Sequence, residues 1–178
     1  MVERDLPDMD GIDVVRRLRE RTSVPVVVLS VRDHEGDKVA ALDAGADDYV
    51  TRSFGIDEFL ARIRVALRHA AGVGRPEEAV FTLGYLRVDL ARRRVSLADG
   101  EVRLTPIEYR LLATLVRHAG DVLTHRQLLT EVWGPSHTEE VHYLRVYMAH
   151  LRRKIEADAM PPRYLLTEPG VGYRLASQ

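Results

Sequence analysis

The sequence predicts two small units of different class, an α/β half followed by an α+β half. Three observations carry this prediction. Val24 to Leu29 reads VPVVVL, the continuous β-branched and apolar run of a parallel strand buried on both faces. From Leu86 onward apolar residues fall at every second position, the period of antiparallel strands with one wet face. Between the two patterns lies the most linker-like stretch of the chain, Gly72 to Glu78. A length of 178 residues allows one mid-sized domain or two small ones. The expected division is 1–71, a linker over 72–79, and 80–178.

In the first half, Ile12, Val14, Val15 and Leu18 mark a short amphipathic helix with Arg16, Arg17, Arg19 and Glu20 on its wet side. VPVVVL follows as a central strand. Lys38 to Ala44 reads as a second helix ended by Gly45, Asp48 to Val50 as a short strand, and Ile56 to Ala70 as a longer helix. The order α-β-α-β-α indicates parallel strands joined by helical crossovers. Two strands are too few for a stable sheet of that kind.

The segment from Asp5 to Ala70, with LPDMDG, VPVVVLS, DKVAALDAGADDYV and FGIDEFLARI, resembles the latter part of a bacterial response-regulator receiver domain. The resemblance implies a flavodoxin-like, five-stranded parallel sheet that this chain joins only at the end of the third strand, so that it lacks the first two βα units. Those units carry the family's acidic pair, which holds the Mg²⁺ used in phosphorylation. Counting back from Leu6-Pro7 in the family's D-x-x-L-P pattern puts Glu3 at the phosphoacceptor position, one methylene longer than aspartate. Arg52 aligns with the family's lysine and Ser53 with the proline after it, and a planar guanidinium fork is not equivalent to a compact ammonium. Ser30 matches the hydroxyl position and Tyr49 the aromatic switch. A receiver that is not phosphorylated in this form is therefore expected. The resemblance also implies a symmetric dimer face with crossed ion pairs, Lys38 with Glu58 and Asp48 with Arg62; Asp43 would face His69, where an arginine is usual. Without its usual neighbour, the strand Val24 to Leu29 should leave a long apolar edge.

Glu3, Asp5, Asp8 and Asp10 admit two readings: a hard-cation site, or an acidic turn in which Asp10 caps a helix. EF-hand spacing is absent, and the turn is preferred. Cysteine is absent too, which excludes disulfides, thiolate zinc sites and cysteine nucleophiles. No Gly-rich phosphate loop, H-E-x-x-H or G-x-S-x-G motif occurs. No apolar run approaches the roughly 20 residues of a membrane span, and the N-terminus lacks the pattern of a secretion signal. The expectation is a cytoplasmic protein that is no enzyme, needs no cofactor and stays off the membrane.

The second half opens with strands at Leu86, Val88 and Leu90, at Val95 and Leu97, and at Val102 and Leu104, with Asp99-Gly100 as a two-residue hairpin turn. Thr105-Pro106-Ile107-Glu108 supplies an N-cap, a proline at the first helical position and the glutamate of a capping box. Thr124 and Gln127 repeat that spacing, and Trp133-Gly134 closes the second helix. A third helix begins near Ser136 to Thr138 and carries Val141, Leu144, Met148, Leu151 and Ile155 as an inward stripe. Tyr164 to Thr167, Pro169-Gly170 and Gly172 to Leu175 make a closing hairpin.

That order is the order of a winged helix-turn-helix. LTPIEYRLL, LTHRQLLTEVWG, HYLRVYMAHLRRKIE and the terminal GVGYR resemble the OmpR/PhoB-type DNA-binding domain over nearly all of 80–178. WGP, HYLRVYMAHLRRK and FGIDEFLARI together look most like the KdpE subgroup, regulators of potassium-uptake operons. The third helix would then enter the major groove of double-stranded DNA. Arg145 and Arg152, seven residues apart, lie about 20° apart around the axis and ~10.5 Å along it, so both are expected to read guanine edges. His142, Tyr147, His150 and Arg153 flank them and are expected to hold phosphate or tune base contacts, and Tyr173 and Arg174 in the wing to contact the minor groove or a phosphate.

The net charge of −1 divides as 12 basic against 14 acidic residues over 1–75 and 14 against 13 over 76–178, so neither half is strongly basic. Local distribution matters more, and Arg145, Arg152, Arg153 and Lys154 share one short helix. A solvated helix face would look the same. His142 and His150 lack a third ligand at helical spacing, so no metal site is expected. Trp133 reads as a core residue. The loop from Trp133 to Glu139 can touch RNA polymerase in this family, and a plain polar connector would read alike. Homodimers on DNA and a sensor histidine kinase are implied by the family, although Glu3 and Arg52 make the kinase doubtful for this chain. Two rival readings stand: a piece of a working phosphorylation-dependent regulator, and an interaction module that pairs with intact regulators.

Overall fold

A computed structural model describes residues 1–22, 24–51, 60, 63, 80–98, 100–156 and 161–177. The chain divides into two compact units, Met1–Val73 and Gly74–Gln178. The linker 72–79 lies outside the described residues, as does the expected helix Ile56 to Ala70 apart from Leu60 and Ile63, both helical.

The first unit runs β1 (Val2–Glu3), α1 (Gly11–Arg19), β2 (Val27–Ser30), α2 (Glu35–Asp43) and β3 (Asp48–Thr51). Its sheet is parallel in the order β1-β2-β3. This corrects the expected apolar edge: Val2 and Glu3 pair with Val28 and Leu29, so VPVVVL is central, and its strand starts only at Val27. Val24 lies before the ladder and is 54% exposed. Asp10 caps α1, its Oδ1 accepting the Ile12 amide at 2.8 Å, in agreement with the acidic-turn reading. Ile12 and Val15 from α1, Val26 and Val28, Ala41 and Ala44 from the α2 end, and Tyr49 form the core. Arg19 closes it by donating to Gly45 O (2.7 Å), Val24 O (2.6 Å) and Asp47 Oδ2 (2.7 Å). Asp47 Oδ2 in turn accepts the Val26 amide at 2.7 Å.

The second unit opens with an antiparallel sheet in the order β4 (Val80–Leu83), β5 (Leu86–Asp89), β6 (Arg94–Leu97), β7 (Gly100–Glu101). The sequence reading missed β4, whose apolar residues Val80, Phe81 and Leu83 break strict alternation. It also misplaced the hairpin turn by one residue. Leu97 pairs with Gly100, so Gly100 belongs to β7 and not to the turn; Ala98 takes a left-handed φ of 51°, and Asp99 lies outside the described residues. Beyond Glu101, among the described residues, only the Val102 amide still bonds the neighbouring strand, at Val95 O (2.8 Å), so the expected strand from Val102 to Leu104 does not form as such.

Then follow α3 (Pro106–Arg117), β8 (Leu123–Thr124), α4 (His125–Val132), a 3-10 turn (Pro135–His137), α5 (Val141–Ile155), β9 (Leu165–Glu168) and β10 (Gly172–Leu175). Both capping boxes form: Glu108 Oε2 accepts the Thr105 amide at 2.7 Å, and Gln127 Oε1 the Thr124 amide at 2.9 Å. The third helix starts at Val141 rather than near Ser136 because the 3-10 turn takes up the intervening residues. β8, unforeseen because two residues carry no period, joins the closing hairpin in the antiparallel order β8-β10-β9. Gly172 permits that pairing, since a Cβ there would collide with the Leu123 carbonyl.

Glu156, immediately after α5, accepts the amides of Arg163 (2.9 Å), Tyr164 (2.8 Å) and Leu165 (2.8 Å). Each buried amide left without an acceptor costs about 1–3 kcal/mol. Glu156→Ala is therefore expected to destabilise the second unit by roughly 3 kcal/mol or more, and Glu156→Gln by less. A urea titration followed by fluorescence of Trp133, the single tryptophan, measures this unit alone; equal midpoints for wild type and Glu156→Ala would contradict it.

Candidate nucleic-acid interface

Helix α5 buries a wide face. Tyr143, Leu144, Tyr147, Met148, His150, Leu151 and Ile155 are all enclosed, while Arg145, Ala149 and Arg153 are exposed and His142, Val146, Arg152 and Lys154 are intermediate. The inward stripe is as expected except at half-buried Val141, but it is broader than five positions. α5 packs on both α3 and α4 and also meets the strand β9 through its own side chains. An amphipathic helix covered on two sides needs a wider apolar arc.

Two predicted contact residues are corrected by this packing. Tyr147 is fully enclosed, its ring 5.3 Å from that of Trp133, and cannot meet a ligand. His150 is 6% exposed, with Nδ1 3.9 Å from Glu108 Oε1 and its ring 5.7 Å from Tyr147. Lys154, counted in the basic cluster, is held by Glu108 Oε2 at 2.6 Å. Trp133 is a core residue, 4% exposed.

Arg152 is also not what the sequence led one to expect. Its Nε and Nη2 donate to Leu165 O at 3.1 and 2.7 Å, and Nη2 donates to Thr167 Oγ1 at 2.7 Å. Its guanidinium lies 5.8 Å from the Tyr173 ring centroid. The fork that would have met a guanine edge is engaged by β9, so Arg152 ties the helix to the hairpin. Arg145 and Arg153 remain as exposed cations that, among the described residues, make no hydrogen bond or ion pair. His142 Nδ1 is 3.3 Å from Glu140 Oε2, and its ring stacks edge-on against Tyr143 at 4.7 Å.

In the hairpin, Arg174 Nε and Nη2 donate to one oxygen of Glu168 at 3.0 and 2.8 Å. Tyr173 is 6% exposed and meets His125 edge-on at 5.6 Å. Burial pushes its hydroxyl pKa up, and nearby Arg152 and Arg145 partly oppose this. Arg145, Arg152, Tyr173 and His125 thus gather where α5, the hairpin and the start of α4 meet. Sequence reasoning missed Glu156 and Glu168 here. Glu156 carried a signal: an acid beside a helix C-terminus opposes the helix dipole and calls for a compensating donor.

In the first unit, Glu3 is exposed on β1, and Ser30 (4% exposed) and Tyr49 (2%) are buried. Tyr49 donates its hydroxyl to Arg32 O at 2.9 Å, and burial raises its pKa while a hydrogen bond with Ser30 lowers it. Lys38, expected across a dimer face, pairs within the chain with Asp33 at 2.7 Å. Asp48, expected on the same face, is 8% exposed, and its Oδ1 accepts the Tyr49 amide at 2.8 Å. Arg52, Glu58 and Arg62, with Ser53 and His69, lie outside the described residues. The carboxylates near Glu3 do not fit a Mg²⁺ site: Asp10 is spent on the helix cap, Asp5 pairs with Arg32 at 3.0 Å, and Arg4 extends toward Asp10 and Asp37. Among the described residues no group of three His, Cys, Asp or Glu could hold a metal ion.

Residues 1–64 match the model of the response regulator receiver domain, and residues 99–175 the model described as transcriptional regulatory protein, C terminal. Over 174 residues, 98% of this chain and 77% of the relative, the chain is 53% identical to the KDP operon transcriptional regulatory protein KdpE of Escherichia coli. It is 51% identical, over the same shares, to the transcriptional regulatory protein KdpE of Mycobacterium tuberculosis. The crystal structure of the Klebsiella pneumoniae RstA DNA-binding domain in complex with the RstA box aligns with 56% of this chain and 98% of that chain, at 26% identity and a TM-score of 0.52.

The two arginines seven residues apart should separate on stability. Arg152→Ala removes three hydrogen bonds to β9 and is expected to cost the second unit about 1–3 kcal/mol. Arg145→Ala should stay within about 0.5 kcal/mol of wild type, as an exposed side chain with no hydrogen bond or ion pair among the described residues does. Urea midpoints from Trp133 fluorescence check the contrast, and equal losses from both changes would refute it.

Proposed function

Because the chain belongs to the OmpR/PhoB-type response regulators, transcription factors in which a DNA-binding winged helix follows a receiver domain, we propose that it controls a potassium-uptake operon by docking α5 in the major groove of its control DNA. The observation that carries the DNA-binding mode is the outward face of α5, where Arg145 and Arg153 stay exposed while the other cations of the helix are engaged. Arg145 reads base edges, since its fork is open to guanine O6 and N7. Arg153, eight residues on and about 12 Å further along the axis, reaches a phosphate at the groove wall. His142 sits near the start of the helix with its Nε2 buried and its Nδ1 beside Glu140, so it bears on DNA only by positioning the first turn. Arg152 acts through the wing, and Arg174 brings the wing's charge to the sugar-phosphate backbone.

The operon assignment rests on the likeness to the two KdpE proteins across 98% of the chain. As in the family, a cognate sensor kinase is implied, and the protein would work in the cytoplasm; no helix among the described residues is long and apolar enough to cross a membrane. Binding in pairs to tandem sites follows from the few base contacts a single winged helix offers. Exposed Pro135 and Ser136 on the 3-10 turn support a contact between the Trp133 to Glu139 loop and RNA polymerase. Glu3 at the acceptor position, one methylene longer than aspartate, supports a receiver that takes no phosphoryl group there.

Selection from random double-stranded DNA should return a preferred sequence in tandem copies. On that DNA Arg145→Ala is expected to cost about 1–3 kcal/mol and to relax preference at particular base pairs, whereas Arg153→Ala should weaken all sequences alike and flatten the salt slope by about 1. Recovery of no preferred sequence would falsify the base-reading role of α5. Acetyl phosphate with Mg²⁺ is expected to leave Glu3 unmodified, and a stoichiometric acyl phosphate trapped there by borohydride would overturn that expectation.

A further inference from the structure

Between Tyr164 and Gln178 the sequence contains one cation, Arg174, and one anion, Glu168. The closing hairpin brings them together across the β9–β10 pair, where Gly172 is registered against Glu168 and Arg174 against Leu166. Both the Nε and Nη2 edge of the guanidinium point at a single carboxylate oxygen, at 3.0 and 2.8 Å. The side chains remain 35% and 30% exposed, so water and salt screen the pair. An ion pair in that setting contributes little to stability. The hairpin has other anchors: Glu156 holds its first strand, Arg152 grips Leu165 and Thr167, β8 pairs with β10, and Leu165 and Leu175 are fully buried.

What the pair does change is the charge that the wing presents. Sequence-independent attraction to DNA comes from cations that neutralise phosphates and release counterions. A guanidinium already facing a carboxylate has spent that charge. From this geometry, and resting on the DNA-binding reading above, we infer that Glu168 competes with DNA phosphate for Arg174 and so sets how strongly the wing engages the backbone. A phosphate that takes the two-pronged Nε and Nη2 edge has to displace the carboxylate from it. Until that exchange occurs the wing is electrically neutral, and contact between the second unit and DNA depends on α5. Glu168 thereby holds down binding to arbitrary DNA, which relies most on phosphate contacts.

The test compares wild type, Glu168→Gln, Arg174→Ala and the double variant of the full chain, on a duplex bearing the selected site and on an unrelated duplex, across a salt series. Glu168→Gln keeps the size and an amide oxygen but removes the rival charge. It should tighten binding to both duplexes, by up to about eightfold near 0.1 M salt, and steepen the log–log salt slope by about 0.9, the signature of one more neutralised phosphate. In the Arg174→Ala background the same substitution should change affinity by less than about twofold, because there is no guanidinium left to release. An equal gain in both backgrounds would mean that Glu168 merely repels DNA and would overturn the inference. Weaker binding by Glu168→Gln would overturn it too, by making the carboxylate a support that aims Arg174. Unchanged urea midpoints by Trp133 fluorescence confirm that the hairpin is intact. If wild type binds neither duplex, the DNA-binding reading fails and the inference falls with it; specific binding without the predicted coupling defeats the inference alone.

Discussion

The arrangement of the second unit depends on a carboxylate at an unfavourable address. The last turn of a helix exposes carbonyl oxygens and carries negative partial charge, so an acid there is repelled unless donors converge on it. Glu156 meets that condition with three successive amides of the segment leading into β9. One turn earlier Arg152 supplies the opposite polarity, giving donors to a carbonyl and a hydroxyl of the same strand. Donor and acceptor roles therefore alternate along the end of α5, and the strand can sit in one register only. The hairpin therefore takes its position relative to α5 from this last turn.

Glu108 shows where sequence reading succeeds and where it stops. Its role in the capping box was legible because both partners lie within four residues and the chemistry repeats in many helices. Its second role, receiving Lys154 from 46 positions away, was not, because nothing in a local pattern announces which distant cation will arrive. The same division explains the arginines. Spacing placed Arg145 and Arg152 on nearly the same side of α5, which the burial pattern supports, yet only the fold reveals that a backbone carbonyl in β9 waits for one of them. Tyr147 and His150 were misjudged for a related reason: polar atoms suggested solvent, while the helix is covered from two directions and uses the rings as filling.

In the first unit the legible part was the alternation of helices and strands and the cap at Asp10. The central place of β2 was legible in VPVVVL, but the expected apolar edge was not what forms, because Val2 and Glu3 are too few to show a period and yet suffice to pair with it. Arg19 was assigned to a wet face from its charge alone. Its methylene stem and fork instead pass over Gly45, and the fork joins the carbonyls of Val24 and Gly45 to Asp47. A long cationic side chain with a buried stem is invisible to periodicity, since hydropathy counts only its tip.

Gly172 carries a consequence for how such regulators diversify. It is registered against Thr124, and Thr124 is the residue whose side chain caps α4. The hairpin and the helix-turn-helix consequently share one backbone contact with no room for a side chain. A transplanted hairpin that brought any side chain to this point would collide with the Leu123 carbonyl and shift the first turn of α4 as it settled. The wing is therefore not an interchangeable cassette: recombination that respects the fold must exchange Leu123 and Thr124 together with residues 165–175, and crossovers between them should produce poorly folded chimaeras even when both parents are stable.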